Sequence, residues 1–272
     1  MENNLKVYKS DKFDVEDTAS LSLFIYPNSL FVFAKDKNQA NISVHHHLKF
    51  SWNKMEDHFN SDPLLKLDVP AKVYIHSPVF TLVPGVLYQQ GKETEYLELL
   101  GDLGDSPHFF TTPVDSNNIQ ILSFLPQKTK NHLEARFSEV TLFHGSSSFL
   151  SYLFKERFNL IGQEIIVDYF QSHVYIAGFT DQELAVFNRF EISGKEDVLK
   201  YVLIMMETLK YDRNHVRVSI YGATNQSEMT EAWGSTYFAN FRMLKPHANQ
   251  NYSHGFKHLK SENLFESYWQ FD

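Results

Sequence analysis

The sequence has no cysteine. That excludes disulfides, thiol catalysis and thiolate-bound zinc together, and it makes the cytoplasm the expected compartment. Long apolar runs are missing too. Nothing approaches the ~20 residues of a membrane-spanning helix, and the opening stretch MENNLKVYKSDKFDVEDTASLS is too polar for a secretion signal. No integral membrane segment is therefore expected. There is no excess of positive charge. A net charge of −8 argues against general nucleic-acid binding, because phosphate contacts need clustered Lys and Arg. Glycine is sparse, 11 in 272 residues, and none builds a phosphate loop of the G-x-x-x-x-G-K-[ST] or G-x-G-x-x-G type; H-E-x-x-H is also absent.

Aromatic residues are abundant. With 24 Phe and 14 Tyr in a chain that is 43% hydrophobic, the sequence can bury a sizeable core and favours strands. Leu21–Tyr26 and Leu30–Ala34 flank the turn signal Pro27-Asn28-Ser29. After the polar Asp36–Ala40 comes Ile42–Phe50, completing a three-stranded meander. A helix is expected from about Ser51, and KVYIHS at 72–77 is a compact strand.

The order recurs later. EIIVDYF, HVYIAGF and LAVFNRFEI within 163–192 read as a second meander, with turns at Gln171-Ser172 and Thr180-Asp181-Gln182. Ser193 and Glu196 have capping-box spacing, so a helix is expected over Lys195–Leu209, followed by the strand HVRVSIYG. Ile25 matches Tyr169 at an offset of 144, and Ile75 matches Ile220 at 145. Two landmarks at nearly one offset point to a duplicated unit.

Between the two, 85–100 is expected to be helical, 117–126 a strand, 127–137 a helix, 139–145 a strand and 146–158 a helix. The domain boundary is placed near 158–163, giving domains 1–160 (the first 18 or so residues an extension) and 161–272. The aromatic terminus LFESYWQFD should dock onto the body, since Phe265, Tyr268, Trp269 and Phe271 together would otherwise form an apolar patch. Both meanders are read as offering exposed edges for pairing with another strand.

A β-β-β-α-β-α unit occurring twice resembles the ribonuclease-H-like duplication of the actin, sugar-kinase and heat-shock-chaperone superfamily. FTLVP at 80–84, FNRFEISGKEDVLKYVL at 187–203 and the paired meanders also resemble domain-of-unknown-function family 3822, a bacterial family. Asn188, Phe190, Asp197 and Tyr201 stand at its Asn-x-Phe and helix positions. The resemblance implies an α/β fold of mixed sheets, two ribonuclease-H-like domains in an actin-like ATPase arrangement, and no established activity.

ATPases of that superfamily place a glycine-rich hairpin turn in each half, usually after an Asp. Glycine lets backbone N–H groups approach phosphate, and the Asp positions magnesium and its waters. Here the first turn is Tyr26-Pro27-Asn28-Ser29 and the second Phe170-Gln171-Ser172-His173, with neither Asp nor Gly. Pro27 also lacks an N–H. Asp168 is a displaced remnant or, more simply, a polar residue on the solvent side of its strand. The adenosine position, Tyr221-Gly222-Ala223, has one glycine where the pattern has two. The expectation is a non-catalytic scaffold holding an unknown protein partner, with no catalytic residues, cofactor or metal, and with Asp168 and Gly222 as the only remnants of a nucleotide site. The alternative is an atypical nucleotide-binding ATPase or kinase of the same superfamily. A metal-dependent hydrolase, which needs converging carboxylates, is a fainter reading.

Three other clusters have simpler readings. His45-His46-His47 is read as an exposed edge-strand tract without a nearby acid to complete a metal set. Gly145-Ser146-Ser147-Ser148-Phe149 lacks the second glycine of a nucleophile elbow, and its serines are read as caps. Glu93, Glu95 and Glu98 are read as a solvated helix face.

Overall fold

The computed structural model describes residues 4–256 and 264–271. Contacts divide the chain into two units. The first runs to Ser147 and regains the chain from Gln250; the second holds Ser148–Asn249 and the C-terminal segment. The division falls at the start of the helix after Gly145, whereas the sequence reading placed a boundary after that helix. The return to the first unit is pinned at Asn41, whose backbone N–H donates to the Asn251 carbonyl (2.8 Å) and whose side chain donates to Gln250 Oε1 (3.1 Å).

In the first unit, β1 (Leu5–Lys9), β2 (Ser20–Tyr26), β3 (Ser29–Lys35), β4 (Asn41–His47), β5 (Ala71–Ile75) and β9 (Val140–His144) form one sheet in the order β1-β4-β3-β2-β5-β9. The β2–β3 hairpin closes tightly, Tyr26 pairing with Ser29 across Pro27-Asn28. Alternation divides the chemistry. Leu21, Leu23 and Ile25 of β2 join Leu30 and Val32 of β3 in an aliphatic core with Met55 and Phe59 of α1 (Met55–Ser61). Phe24, on the opposite face, stacks on Tyr74 at 4.4 Å. At the next turn Asp36 Oδ1 accepts from the N–H groups of Asn38 and Ala40, both at 2.9 Å, as an Asx turn.

β6 (Phe80–Pro84), α2 (Glu93–Leu97), β7 (Pro107–Val114), β8 (Ile119–Pro126) and α3 (Gln127–Glu134) lie between β5 and β9. They build a second, three-stranded sheet in the order β6-β8-β7. The helix expected over 85–100 is only a 3₁₀ turn at Gly85–Leu87 and the five residues of α2. Gly91, at φ +88°, breaks the chain direction between them. The reading left β7 out; its Pro113 weakens the strand signal, and Pro is tolerated there because β7 is an edge of its sheet.

The second unit contains α4 (Ser147–Glu156, from its second residue), β10 (Gln163–Phe170), β11 (His173–Thr180), β12 (Glu183–Glu191), α5 (Lys195–Leu209), β13 (Arg217–Gly222), α6 (Glu231–Gly234) and β14 (Asn240–Met243). Sheet order is β12-β11-β10-β13-β14. β10 is antiparallel to β11 and parallel to β13, as β2 is to β3 and β5. The register is less regular than the two offsets: Ile25 pairs Ile75, but Tyr169 pairs Gly222, and Ile220 pairs Val167. The β11–β12 turn uses Asp181 and Gln182, both at positive φ, which suits a two-residue hairpin.

α5 starts differently from the expected capping box. Its N-cap is Gly194, without a side-chain cap bond, and Asp197, not Glu196, accepts from the Ser193 N–H at 2.8 Å. Phe190 stacks on Tyr201 at 4.2 Å, so the family-like residues are packing and capping residues. The helix ends on Lys210 in the left-handed region, φ 58°. Lys210→Gly is expected to stabilise the protein by about 1 kcal/mol, because a Cβ is disfavoured there; the urea midpoint measures it. No described helix is long and apolar enough to cross a membrane.

Candidate functional site

Two polar groups of the first hairpin turn are engaged within its own unit. The Asn28 carbonyl accepts from the Phe50 N–H at 3.1 Å, and Ser29 Oγ bonds His46 Nε2 at 2.8 Å. Tyr26 stacks on His76 at 3.9 Å.

The second unit brings Asp168 and Gly222 together. β10 and β13 pair Asp168 with Tyr221, and a Cβ added to Gly222 would meet the Tyr169 carbonyl at 2.2 Å and Asp168 Oδ1 at 2.7 Å. At φ +97° and with the backbone this close, only glycine fits. Asp168 is not on a solvent face. It is 7% exposed, because that face of β10 is covered by α4 and by the C-terminal segment.

Register extends the site across the sheet. Tyr221, Asp168, Tyr175 and Arg189 stand side by side on β13, β10, β11 and β12. Over this row lies Glu266, from a 3₁₀ turn at Phe265–Ser267 and itself 1% exposed. Burial, and then the Glu266 charge, push the Asp168 carboxyl well above the usual carboxylate range. Burial also pushes the Tyr175 hydroxyl up; the Arg189 guanidinium bonded to it opposes this, and the charges of Asp168 and Glu266 add to it. Chemically, the row sets a buried carboxyl beside two tyrosines and an arginine, with the charge of a second buried carboxyl acting on it.

The raised Asp168 value has a consequence for stability. The folded state binds more protons than the unfolded one between the ordinary aspartate value and the raised one, so stability falls as pH rises through that window. Asp168→Asn is expected to raise the melting midpoint at pH 8, leave it near wild type at pH 4, and flatten the fall between them.

The C-terminal segment docks as the sequence predicted; its last residue, Asp272, lies outside the described residues. Phe265 packs edge-on against Phe149 at 5.5 Å, Tyr152 at 5.6 Å and Tyr221 at 6.0 Å. Trp269 Nε1 donates to Ser151 Oγ at 3.2 Å, and the Phe271 N–H to Ser148 Oγ at 3.1 Å. Beside Gly222, at the C-terminal ends of the parallel strands β13 and β14, a cavity of about 380 Å³ is lined by Thr224, Asn225, Thr230, Lys245 and Tyr268. Strand ends of this kind are where open α/β sheets bind ligands.

The histidine tract departs furthest from expectation. β1 pairs along β4, so the tract is interior, and all three side chains are buried. His45 Nδ1 and His47 Nε2 bond the two oxygens of Asp62, at 2.8 and 2.7 Å, and Asp62 Oδ1 also accepts from the Leu64 N–H. Burial alone would raise the Asp62 carboxyl, but the hydrogen bonds and charges of the two histidines outweigh it and hold it well below the usual range. These distances are hydrogen bonds, and among the described residues no group of three or more His, Asp or Glu is placed to hold a metal ion. Sequence reasoning missed Glu266 because it comes from a distant part of the chain, and Asp62 because it follows the histidines by 15 and 17 residues, at the end of a helix.

His144 Nδ1 bonds Ser146 Oγ at 2.8 Å with both residues fully buried. Of the expected caps, Ser148 instead receives the Phe271 N–H. Glu93 is drawn inward and accepts from the Tyr88 hydroxyl at 2.7 Å, while Glu95 and Glu98 are exposed.

Comparison with known proteins supplies a family and a fold. The family model described as "Protein of unknown function (DUF3822)" matches residues 10–241. No curated protein matches. A Bacteroides thetaiotaomicron protein with an actin-like ATPase fold and unknown function superposes with a TM-score of 0.74 at 14% identity, covering 85% of this chain and 93% of that one. The PilM-PilN type IV pilus biogenesis complex includes a chain that superposes with a TM-score of 0.57 at 10% identity, covering 91% and 94%. The architecture is thus a mixed α/β, actin-like ATPase fold with several sheets.

Proposed function

The chain belongs to the DUF3822 family of proteins of unknown function, and on that premise we propose that it is a non-catalytic scaffold that holds a protein partner. The observation that carries this reading is the burial of Asp168 beside Gly222, with the charge of the equally buried Glu266 acting on it. A triphosphate needs converging N–H groups and cations; two carboxylates under an aromatic plug are the opposite. The first turn supports the same reading, since Pro27 removes one N–H from it. We take the two units as copies of one ribonuclease-H-like unit, on the shared pairing of β2-β3-β5 and β10-β11-β13. A protein partner is consistent with the PilM-PilN complex, where a chain of this fold is solved as part of an assembly; fold alone does not set function.

The second reading, an atypical nucleotide-binding ATPase or kinase, draws on the contact of Asp168 with Gly222 and on the cavity beside them. A thermal-shift panel of nucleotides and sugars with magnesium separates the two. The scaffold reading expects no shift for any member. A magnesium-dependent rise for one, abolished by Asp168→Ala, would favour the kinase reading.

A further inference from the structure

Val86, Leu87, Leu99 and Leu100 are exposed on the three-stranded sheet's cover, Val86 by 94% and Leu99 by 89%. Isolated exposed apolar residues need no explanation, but four on one short span of chain do. The span is not slack. The Gly85 N–H donates to the Asn118 carbonyl at 2.7 Å, and a Cβ on Gly85 would sit 2.1 Å from the Asn117 oxygen. The Tyr96 hydroxyl donates to the Leu87 carbonyl at 2.8 Å, which ties the turn carrying Val86 and Leu87 to the helix that leads into Leu99 and Leu100. Beneath, Leu97 is fully buried with Val83 and Leu122. The inward apolar side chains complete a small core, and the outward ones are held up from it.

The rim of this display has one sign. Glu95, Glu98, Asp102 and Asp105 flank the two leucines along the chain and are exposed, and Lys92, the single base in 84–106, is already paired with Glu95 at 3.4 Å. An anionic lipid surface would be repelled, and a second copy of the same face would oppose like charges. We propose that this face docks a protein segment that presents apolar side chains interleaved with Lys or Arg. The apolar side chains would cover the leucines and the bases would meet the acidic rim, which adds rate and specificity to the contact. The inference rests on the scaffold reading only in taking the partner to be a protein; nucleotide titration tests that reading separately, so either can fail alone.

The test uses the full chain and a fluorescein-labelled amphipathic peptide of leucine and lysine at helical spacing, followed by anisotropy. Wild type should bind saturably. Leu87→Ser with Leu99→Ser, and Glu95→Lys with Glu98→Lys, should each weaken binding at least about tenfold, with unfolding midpoints unchanged because the sites are exposed. Equal binding by all variants, or equal binding of a lysine–serine peptide, would overturn the proposal. So would a wild-type dimer in sedimentation that the serine variant dissociates, or leucine-dependent binding to phosphatidylcholine or phosphatidylglycerol vesicles.

Discussion

Replacing Asp62 with alanine is expected to lower stability by about 3–5 kcal/mol, the usual result of removing one partner from a buried charged network. The carboxylate satisfies three groups together: two imidazole nitrogens and the Leu64 N–H. Each buried polar group left without a partner costs about 1–3 kcal/mol, so the sum reaches that range even after relaxation. For a chain of this size the melting midpoint should fall by about 10 °C. Asp62→Asn should cost less, since the amide oxygen can still accept from one histidine while its NH₂ donates to the other in the alternative tautomer. The effect has a pH signature. The folded carboxyl titrates below the unfolded one, so its contribution is complete above the ordinary aspartate range and disappears as pH falls through the folded value. Urea unfolding of wild type and Asp62→Ala should therefore differ most at neutral pH and converge in strong acid. Equal midpoints at pH 7 would contradict the network.

Truncating Phe265 to alanine should cost about 3–5 kcal/mol, again roughly 10 °C in midpoint. The ring fills the space between Phe149, Tyr152 and Tyr221, and its loss loosens the segment that places Glu266 over Asp168. Other ties, among them Trp269 to Ser151, Phe271 to Ser148 and Gln270 to Asn249, anchor the segment but do not fill that space. Phe265→Leu, which keeps most of the volume, should cost about 1.5 kcal/mol or less. A loss below about 1 kcal/mol for the alanine variant would mean that the terminus is an appendage and that Asp168 is not sealed by it.

Much of the fold could be read from local pattern. The two meanders, α5 and β13 follow from alternation and turn chemistry, as at Pro27-Asn28 and Asp181-Gln182, where the chain itself records the reversal. What pattern could not supply was distance. LKVYK at Leu5–Lys9 is too short and polar to read as a strand alone, yet its pairing with β4 buries the histidine tract that looked exposed. Asp62 ends a helix just before Pro63, a local role that conceals its bonds to His45 and His47. Asp168 alternates as a polar residue should on a solvent face; α4 and the return of the C-terminal segment together make that face an interior. The candidate site was thus half legible: Asp168 and Gly222 were named from the sequence, and what they face was not. The same gap hid the leucine display: 85–100 read as one helix, and the chain there is a broken one that leaves Val86, Leu87, Leu99 and Leu100 exposed.

Isothermal titration calorimetry of the full chain with magnesium-ATP tests the closed, acid-lined site most directly. The expected result is no saturable heat at millimolar nucleotide, for wild type and Asp168→Asn alike. A one-to-one isotherm in the micromolar range, lost on Asp168→Ala, would show that the site takes a nucleotide and would contradict the account.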